Sequence, residues 1–311
     1  MSTASPSKSG FTSDQVFRFL TSAFAAFIAI LFIVMLSVLW HESQPSIDKF
    51  GFSFLTSSAW NPVTNEYGAL IAIVGTLLTT TVAMAIALPI SLGIALFLAE
   101  ISPYWMRRPV GTAIELLAAI PSIVYGMWGL FVIVPIMASS IEPWMYEHLS
   151  FIPLFSSPPL GIGILTAGLV LALMVIPFIA AITRDVFLMC PQNLKEAAYG
   201  LGATKWEVVR DVMIPYGIKG IVGGVFLGLG RALGETMAVT FVIGNAYHLS
   251  WSLLAPGNSI ASTLANEFTE ADGELYTSSL IELGLVLFLI TFIVLSLAQF
   301  WLHTSNKKRG G

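Results

Sequence analysis

The sequence has little cysteine and little charge. Cys190 is the single cysteine among 311 residues, which excludes an internal disulfide framework and any metal site built from several cysteines. Only 10% of the residues are charged, whereas 56% are hydrophobic, and the mean hydropathy is +0.84. This composition is far from that of a soluble domain and places the chain among membrane proteins.

The motifs of several enzyme classes are also absent. The chain contains no Gly-x-x-x-x-Gly-Lys-[Ser/Thr] phosphate loop, no His-Glu-x-x-His and no Gly-x-Ser-x-Gly. Its Gly-Leu-Gly and Gly-Ile-Gly pieces lie in apolar runs without the strand and acidic residue of a dinucleotide site. The four histidines are scattered without metal-binding spacing. We therefore expect a protein that is not an enzyme, that has no metal or cofactor, and whose ATP hydrolysis, if any, belongs to another chain.

Long apolar runs fill most of the sequence. A helix needs about 20 apolar residues to cross a bilayer core of about 30 Å. Six runs satisfy this requirement, at about 17–40, 69–99, 111–138, 160–183, 217–245 and 279–302. The first is followed by no small-x-small cleavage pattern and is interpreted as an uncleaved anchor. Prolines 89, 121 and 135 predict kinks or interruptions. The sequence predicts an all-α membrane protein with six transmembrane helices.

The remaining segments define the domain organisation. Residues 1–16 are expected to be a cytoplasmic tail, and 17–68 the first transmembrane helix with an external interfacial segment. Residues 69–302 would form the transmembrane core and 303–311 a cytoplasmic C-terminal tail. The loops at 139–159 and 246–278 are acidic and would lie outside. Aromatic residues between 41 and 68 are typical of a segment at the membrane interface; they are Phe50, Phe52, Phe54 and Trp60.

The distribution of lysine and arginine predicts the orientation. With both termini cytoplasmic, Lys49 alone falls outside and Arg231 falls within the membrane. Such a bias is the usual determinant of topology. The other twelve basic residues would be cytoplasmic: Lys8, Arg18, Arg107, Arg108, Arg184, Lys195, Lys205, Arg210, Lys219, Lys307, Lys308 and Arg309.

The polar stretch 193–215 has the signature of a helical hairpin. Asn193 is a candidate N-cap, and Gly202 can end the first helix in the left-handed conformation. Thr204 and Glu207 have the spacing of a capping box for a second helix, which Pro215 is expected to limit. The orientation above places this hairpin in the cytoplasm.

The hairpin resembles the EAA loop of importer-type ABC permeases. The matching residues are Glu196-Ala197-Ala198, Gly202 and the run 212–215 ending in Pro215, where Val212 and Ile214 are conservative departures from Ile-x-Leu-Pro. The resemblance implies that these residues couple the chain to an ATPase subunit. Small side chains suit that role because they allow close backbone approach. The alternative is an ordinary surface hairpin between two spans.

The fifth apolar run carries seven glycines between 217 and 234 together with Arg231 and Glu235. The glycine spacing favours close helix packing and is equally compatible with a pathway-lining helix. An arginine near a helix centre costs about 2.5–3.5 kcal/mol in the membrane, so it needs a partner or a wet cavity. If the run is one helix, Glu235 lies one turn beyond Arg231 on the same face. Either the two residues neutralise each other, or Arg231 meets an anion in transit and Glu235 orients it or competes with the anion.

The chain further resembles the permeases of phosphate-specific (Pst) ABC importers. The likeness spans about residues 45–302 and is carried by the runs 228–239 and 119–126 and by Trp60-Asn-Pro. It implies a type I ABC importer permease (MetI-like) fold in the plasma (inner) membrane of a prokaryote. It also implies four partners: a sister permease, an ATPase dimer that binds ATP, an external phosphate-binding protein and inorganic phosphate. In that family the residues matching Arg231 and Glu235 are implicated in phosphate passage.

Two other functions stay open from the sequence. One is an ABC permease for another oxyanion, such as molybdate, sulfate or phosphonate. The other is a channel or carrier that works without an ATPase, against which the 193–215 hairpin argues. Glu115 and Glu282 are weaker candidates for a transport role, since each is expected in the first turn of a span. Contact with membrane lipid is expected, and contact with nucleic acid is not.

Overall fold

The structure is a computed structural model that describes residues 13–307, with side chains described for 14–300. The described residues are mostly helical, with loops between the helices and one isolated bridge between Asn61 and Glu66. Residues 1–12 and 308–311 lie outside the described part, and with them most of the predicted N-terminal tail, part of the predicted C-terminal tail and the basic residues Lys8, Lys308 and Arg309. The first helix begins at Ser13, within the predicted N-terminal tail.

Fifteen α-helices follow one another in the described residues. Short π-helical segments join several of them, at Phe97–Ile101, Gly129–Ile133, Met137–Ile141 and Val208–Met213, and a 3-10 turn lies at Pro153–Phe155. The helices are α1 (Ser13–Glu42), α2 (Gln44–Phe50), α3 (Ser53–Thr56), α4 (Leu70–Leu96), α5 (Tyr104–Ala118), α6 (Ser122–Trp128), α7 (Val134–Ile136), α8 (Glu142–Leu149), α9 (Ile164–Leu188), α10 (Gln192–Gly200), α11 (Lys205–Glu207), α12 (Ile214–Leu233), α13 (Met237–Thr240), α14 (Ile260–Glu267) and α15 (Glu274–Lys307).

Six continuous helical stretches among the described residues are long and apolar enough to cross a membrane, which confirms the predicted number. They run over Asp14–Glu42, Leu70–Ile101, Ser122–Leu149, Ile164–Leu188, Lys205–Leu233 and Glu274–Phe300.

The third and fifth stretches differ from the prediction. The chain is not helical at 119–121, because Pro121 adopts an extended conformation before α6, so α5 is a separate helix. Pro135 causes no such break, and the helix continues to Leu149 through the first half of the predicted 139–159 loop. The fifth stretch begins at Lys205 and ends at Leu233, twelve residues before the predicted end at 245.

Helix α9 is the centre of the bundle. It is the most buried of the six stretches, and α4, α5 and α12 all pack on it. The glycines of α12 make one of these contacts close: Gly220 faces Val186 and Gly228 faces Ile179. Packing of this kind is the main attraction between helices in lipid, where no hydrophobic driving force remains. The glycine spacing is therefore explained at least in part by contact with α9.

The N-terminal end of α9 is capped by a non-helical segment. The first amide groups of a helix lack partners within it. Here Gly163 N donates to Val242 O at 3.1 Å, and Leu165 N donates to Leu253 O at 2.8 Å. The chain from 241 to 259 thus passes through the core as extended and turn structure instead of continuing the fifth helix.

The segment that was predicted to be external, at 41–68, is held to the core by an aromatic cluster around Glu267. Its carboxylate accepts from Trp60 Nε1 at 2.6 Å and from Tyr276 Oη at 2.7 Å, and Tyr247 donates to its other oxygen. Burial and the neighbouring Glu267 carboxylate raise the pKa of Tyr247 well above its usual range. Phe52 of this segment is exposed, whereas Phe54 is fully buried against the core and so does not fit the predicted interfacial position.

Candidate functional site

The depth of each candidate residue follows from its neighbours along α9, whose middle lies near residue 176. On the α5–α6 side, Ile114 packs with Ala180 and Gly129 with Val170. The break at 119–121 therefore lies between these levels, near the middle of α9. On the α12 side, Gly228 faces Ile179. Both interrupted helices break at about the depth of the bilayer centre.

Arg231 lies in the last turn of α12, one turn beyond Gly228. Its guanidinium carbon is 5.5 Å from the centre of the Phe178 ring, at a distance where cation–π attraction operates. The C-terminal end of a helix also favours a cation. Among the residues that the structure describes, no carboxylate lies within ion-pair distance of Arg231. A half-buried positive charge thus stands near the membrane centre without an acidic partner in these residues.

Glu235 is not on the same helix as Arg231. Helix α12 ends at Leu233 with Gly234 as its C-cap, so the expectation of a shared helical face one turn apart is wrong. Glu235 Oε1 instead accepts from Ala238 N at 3.1 Å and caps the short helix α13. The hypothesis that the two residues neutralise each other as a helical pair therefore has no support in this structure.

The two sequence motifs that carried the closer resemblance meet at these breaks. Gly126 of α6 lies against α13, where a side chain would come within 2.8 Å of Met237 O and of the Phe241 ring. Next to it, Tyr125 Oη donates at 2.9 Å to Leu117 O, which also accepts from Ile120 N at the end of α5. Non-helical backbone at membrane depth is tolerated where it is buried in protein or lines a wet cavity. The paired breaks are therefore a candidate substrate site.

The hairpin at 193–215 has most of the predicted local structure. Gly202 has φ +88°, the left-handed conformation, and Thr204 and Glu207 form a complete capping box. Two details are wrong. Helix α10 begins at Gln192, so Asn193 lies inside it and bonds its own neighbour Leu194 N. Pro215 ends no helix, because it lies inside the continuous stretch Lys205–Leu233, directly after the π-helical segment Val208–Met213.

A buried ion pair fixes the hairpin to the π-helical segment that follows α4, Phe97–Ile101. Lys195 Nζ lies 2.9 Å from Glu100 Oε2, and the two side chains are 8% and 14% exposed. Tyr199 donates to the other oxygen of Glu100 at 3.1 Å, and burial together with this bond raises the pKa of Tyr199. Cys190 is buried beside them with its pKa raised mainly by burial, in keeping with an inert thiol. An apolar cluster that includes Val208 and Met213 completes the junction.

The outer face of the hairpin is exposed and partly apolar. Leu201 beside Gly202 is 91% exposed, and Trp206 is 64% exposed. Glu196 and Ala197 are exposed on the same hairpin, whereas Ala198 is half-buried. Large exposed apolar side chains next to small residues are typical of a surface that binds another protein.

The two weaker acidic candidates have different environments. Glu115 lies in the last turn of α5, not at the start of a span, and pairs with Arg184 at 2.7 Å. Glu282 lies two turns into α15 and is buried, with one carboxylate oxygen unpartnered among the described residues. Neither faces the two breaks, so the structure gives no reason to assign them to the candidate substrate site.

Comparison with known proteins agrees with this architecture. The chain matches the family described as binding-protein-dependent transport system inner membrane component over residues 91–309, and it belongs to that family. It is thus a multi-pass inner membrane component of an ABC transporter, a transport subunit and not an enzyme.

Individual relatives are more specific. The chain is 58% identical over 301 residues to the phosphate transport system permease protein PstC of Pasteurella multocida, covering 96% of this chain and 94% of the relative. It is 40% identical over 284 residues to the probable phosphate transport system permease protein PstC of Methanocaldococcus jannaschii, covering 89% and 90%.

Solved structures confirm the predicted type I importer fold. A bacterial ABC transporter involved in the import of the acidic polysaccharide alginate aligns with a TM-score of 0.58 at 16% identity, covering 94% of this chain and 97% of that one. An inward-facing MetNI methionine transporter aligns with a TM-score of 0.51 at 19% identity, covering 73% and 93%. At these identities the likeness shows the fold alone.

Proposed function

We propose that this chain is the transmembrane permease subunit of an ATP-driven inorganic phosphate importer. The observation that carries the proposal is Arg231, which stands without an acidic partner in the described residues at the break after α12, near mid-membrane. The relatives at 58% and 40% identity carry the name of phosphate transport permeases, and this supports phosphate as the anion.

The chemistry of Arg231 suits a tetrahedral oxyanion. A guanidinium offers several donors in one plane, keeps its charge at any accessible pH and is less strongly hydrated than an ammonium group. Its contact with Phe178 holds the group over an aromatic face and leaves its N–H edge free for oxygen atoms. With a single cation and no closed cage of donors, binding would remain weak enough for release. Glu235, one residue beyond Gly234, would add a repulsive charge that limits the dwell time.

The hairpin at 193–215 would couple this site to an ATPase dimer. Glu196, Ala197, Ala198, Gly202 and Pro215 match the coupling motif, and the exposed Leu201 and Trp206 beside them supply apolar contact area. A sister permease would complete the pathway, and an external phosphate-binding protein would deliver the anion. ATP would be bound by the ATPase alone, and both termini of this chain would be cytoplasmic.

ATP-dependent phosphate uptake into vesicles that hold the full complex tests the substrate site. Arg231→Gln removes the charge and retains a polar side chain, so we expect assembly and ATP hydrolysis to persist while uptake is lost. Uptake at the wild-type rate would show that Arg231 is not on the pathway. Competition by molybdate, sulfate and phosphonate in the same assay separates a phosphate importer from a permease for another oxyanion.

A second pair of variants tests the coupling hairpin. Gly202 and Gly273 both have left-handed backbones and open space around them, at opposite ends of the molecule. Aspartate tolerates this backbone better than most residues. We expect Gly202→Asp to abolish uptake and to weaken ATPase binding, and the matched Gly273→Asp to do neither. Equal effects of the two substitutions would contradict the coupling role.

A further inference from the structure

A cleft between α5 and α9 carries an excess of positive charge at the same end of the molecule as the coupling hairpin. Its volume is about 310 Å³, and its lining consists of Leu98, Arg107, Arg108, Thr112, Glu115, Arg184 and Leu188. Neither the transport site nor the hairpin motif includes these residues. The interrupted helix α5 leaves Tyr104–Ala118 as a short separate helix, and this cleft lies along it.

The three arginines of the cleft are not equally neutralised. Arg184 is bonded to Glu115 and Asp185, each at 2.7 Å. Arg107 uses only its Nε, which donates to Ser102 O at 3.0 Å. No hydrogen bond or ion pair involves Arg108 within the part of the chain that the structure describes. Two carboxylates against three guanidinium groups leave an uncompensated charge and several free N–H donors.

The position of α5 brings these donors together. Gly111 has no side chain, and Arg184 of α9 occupies the space that a side chain there would fill. Arg108 and Thr112 are one helical turn apart on α5 and therefore share a face. The hydroxyl of Thr112 also lines the cleft and adds a neutral donor beside the charged ones. The result is a concave group of donors at a helix junction.

The surroundings indicate an occupant with an apolar part. Next to the arginines, exposed apolar and aromatic side chains cover the surface: Ile101, Tyr104, Trp105, Leu116 and Leu188. Tryptophan and tyrosine at a membrane boundary mark the level of lipid headgroups. Basic pockets between transmembrane helices at this level bind the phosphate of anionic lipids. A neighbouring cleft shares Arg107 and Leu188 with this one, and its own lysine, Lys195, is neutralised by Glu100.

We propose that Arg107, Arg108 and Arg184 form a binding site for the phosphate group of an anionic phospholipid in the leaflet on the hairpin side of the membrane. The headgroup phosphate would meet the free guanidinium donors and Thr112, and the acyl chains would run along Leu188 and its exposed apolar neighbours. This site is separate from the proposed transport pathway, and it requires no assumption about the transported anion.

Lipid titration of the purified full complex, followed by native mass spectrometry, tests the site. The probes are phosphatidylglycerol and, as the zwitterionic comparison, phosphatidylcholine. Each arginine near an anionic lipid strengthens binding about fivefold, so Arg107→Gln with Arg108→Gln should weaken phosphatidylglycerol binding about thirtyfold. The matched control, Arg210→Gln with Lys219→Gln, removes two exposed charges outside the cleft and should leave binding unchanged.

Further arms keep the outcome unambiguous. Arg108→Gln alone breaks no bond described in the structure, so it should fold normally and weaken phosphatidylglycerol binding about fivefold. Equal binding of phosphatidylglycerol by the cleft and control variants would overturn the proposal. Inorganic phosphate is added in a separate arm. If it displaces phosphatidylglycerol from the wild type at millimolar concentration, the cleft is a site for free anions and the lipid assignment is wrong.

Discussion

Lys195 and Arg231 are two cationic side chains with opposite surroundings, although neither is fully exposed. Lys195 at the hairpin junction is paired with Glu100 beside an apolar cluster, so its charge stabilises the contact between two helical segments. Arg231 at the break after α12 meets an aromatic ring and no carboxylate among the described residues. The first arrangement is complete within the chain. Arg231 gains an ion-pair partner only when a group outside these residues supplies negative charge. This difference distinguishes a structural cation from a candidate ligand-binding cation.

Removing the hairpin cation should give the largest loss of stability. Lys195→Met leaves the Glu100 carboxylate buried with Tyr199 as its only side-chain hydrogen-bond donor among the described residues, and loss of one member of a buried pair costs about 3 kcal/mol. The double variant with Glu100→Gln should recover most of that loss, because a matched neutral pair leaves no buried charge. Thermal unfolding of the purified complex measures both. If the double variant is as unstable as the single one, the junction depends on packing and not on the pair.

The opposite behaviour is expected at Arg231. Arg231→Lys keeps the charge but loses the planar set of donors, so we expect uptake to fall about tenfold, the worth of one charge-assisted hydrogen bond. The unfolding temperature should not change, because no ion pair is broken. If Arg231→Lys lowers the unfolding temperature but leaves transport normal, Arg231 is a structural cation like Lys195.

Two substitutions at Glu235 separate the hydrogen bond that its carboxylate accepts from the effect of its negative charge. Glu235→Ala removes the acceptor for Ala238 N and should cost about 1 kcal/mol, whereas Glu235→Gln keeps an oxygen there and should cost little. If the charge limits the dwell time of the anion, Glu235→Gln should also tighten phosphate binding, measured by isotope retention. Identical stability of the two variants would remove the capping role.

The smallest effect should come from the aromatic contact of Arg231. Phe178→Leu keeps apolar volume but removes the ring face, which is worth about 0.5 kcal/mol at a partly exposed site. Uptake should fall about twofold through poorer orientation of the guanidinium, without loss of assembly. The measurement is the initial rate of phosphate uptake per complex. A loss as large as that of Arg231→Lys would mean that Phe178 itself belongs to the site.

Local signals in the sequence predicted the hairpin well. The capping box at Thr204 and the left-handed Gly202 depend on residues within a few positions of one another, and both are present in the structure. The cap assigned to Asn193 was wrong because the turn at Pro191 starts the helix earlier, at Gln192. The number of spans also followed from composition, since lipid requires long apolar helices.

Contacts between residues far apart in the chain could not be predicted from the sequence. Residues 234–245 include stretches that are compatible with a helix. They do not continue α12 because distant groups bind their backbone; for example, Gly163 N donates to Val242 O. Glu267 looked like one of several loop acids, although it binds Trp60, more than 200 positions away. Aromatic residues near the predicted external loop were the only available signal. The depth of Arg231 was predicted, but its separation from the helix of Glu235 was not.

The unbroken helix from Lys205 to Leu233 has a mechanical consequence. At 1.5 Å per residue, the distance from Lys205 to Arg231 is about 40 Å, and the chain stays helical over all of it, through the π-helical segment Val208–Met213 and past Pro215. A displacement of the hairpin is therefore transmitted to the guanidinium by one stiff rod instead of a chain of side-chain contacts. Arg231 sits at the far end of that rod, so a small tilt at the hairpin becomes a lateral shift of the charge in the middle of the membrane.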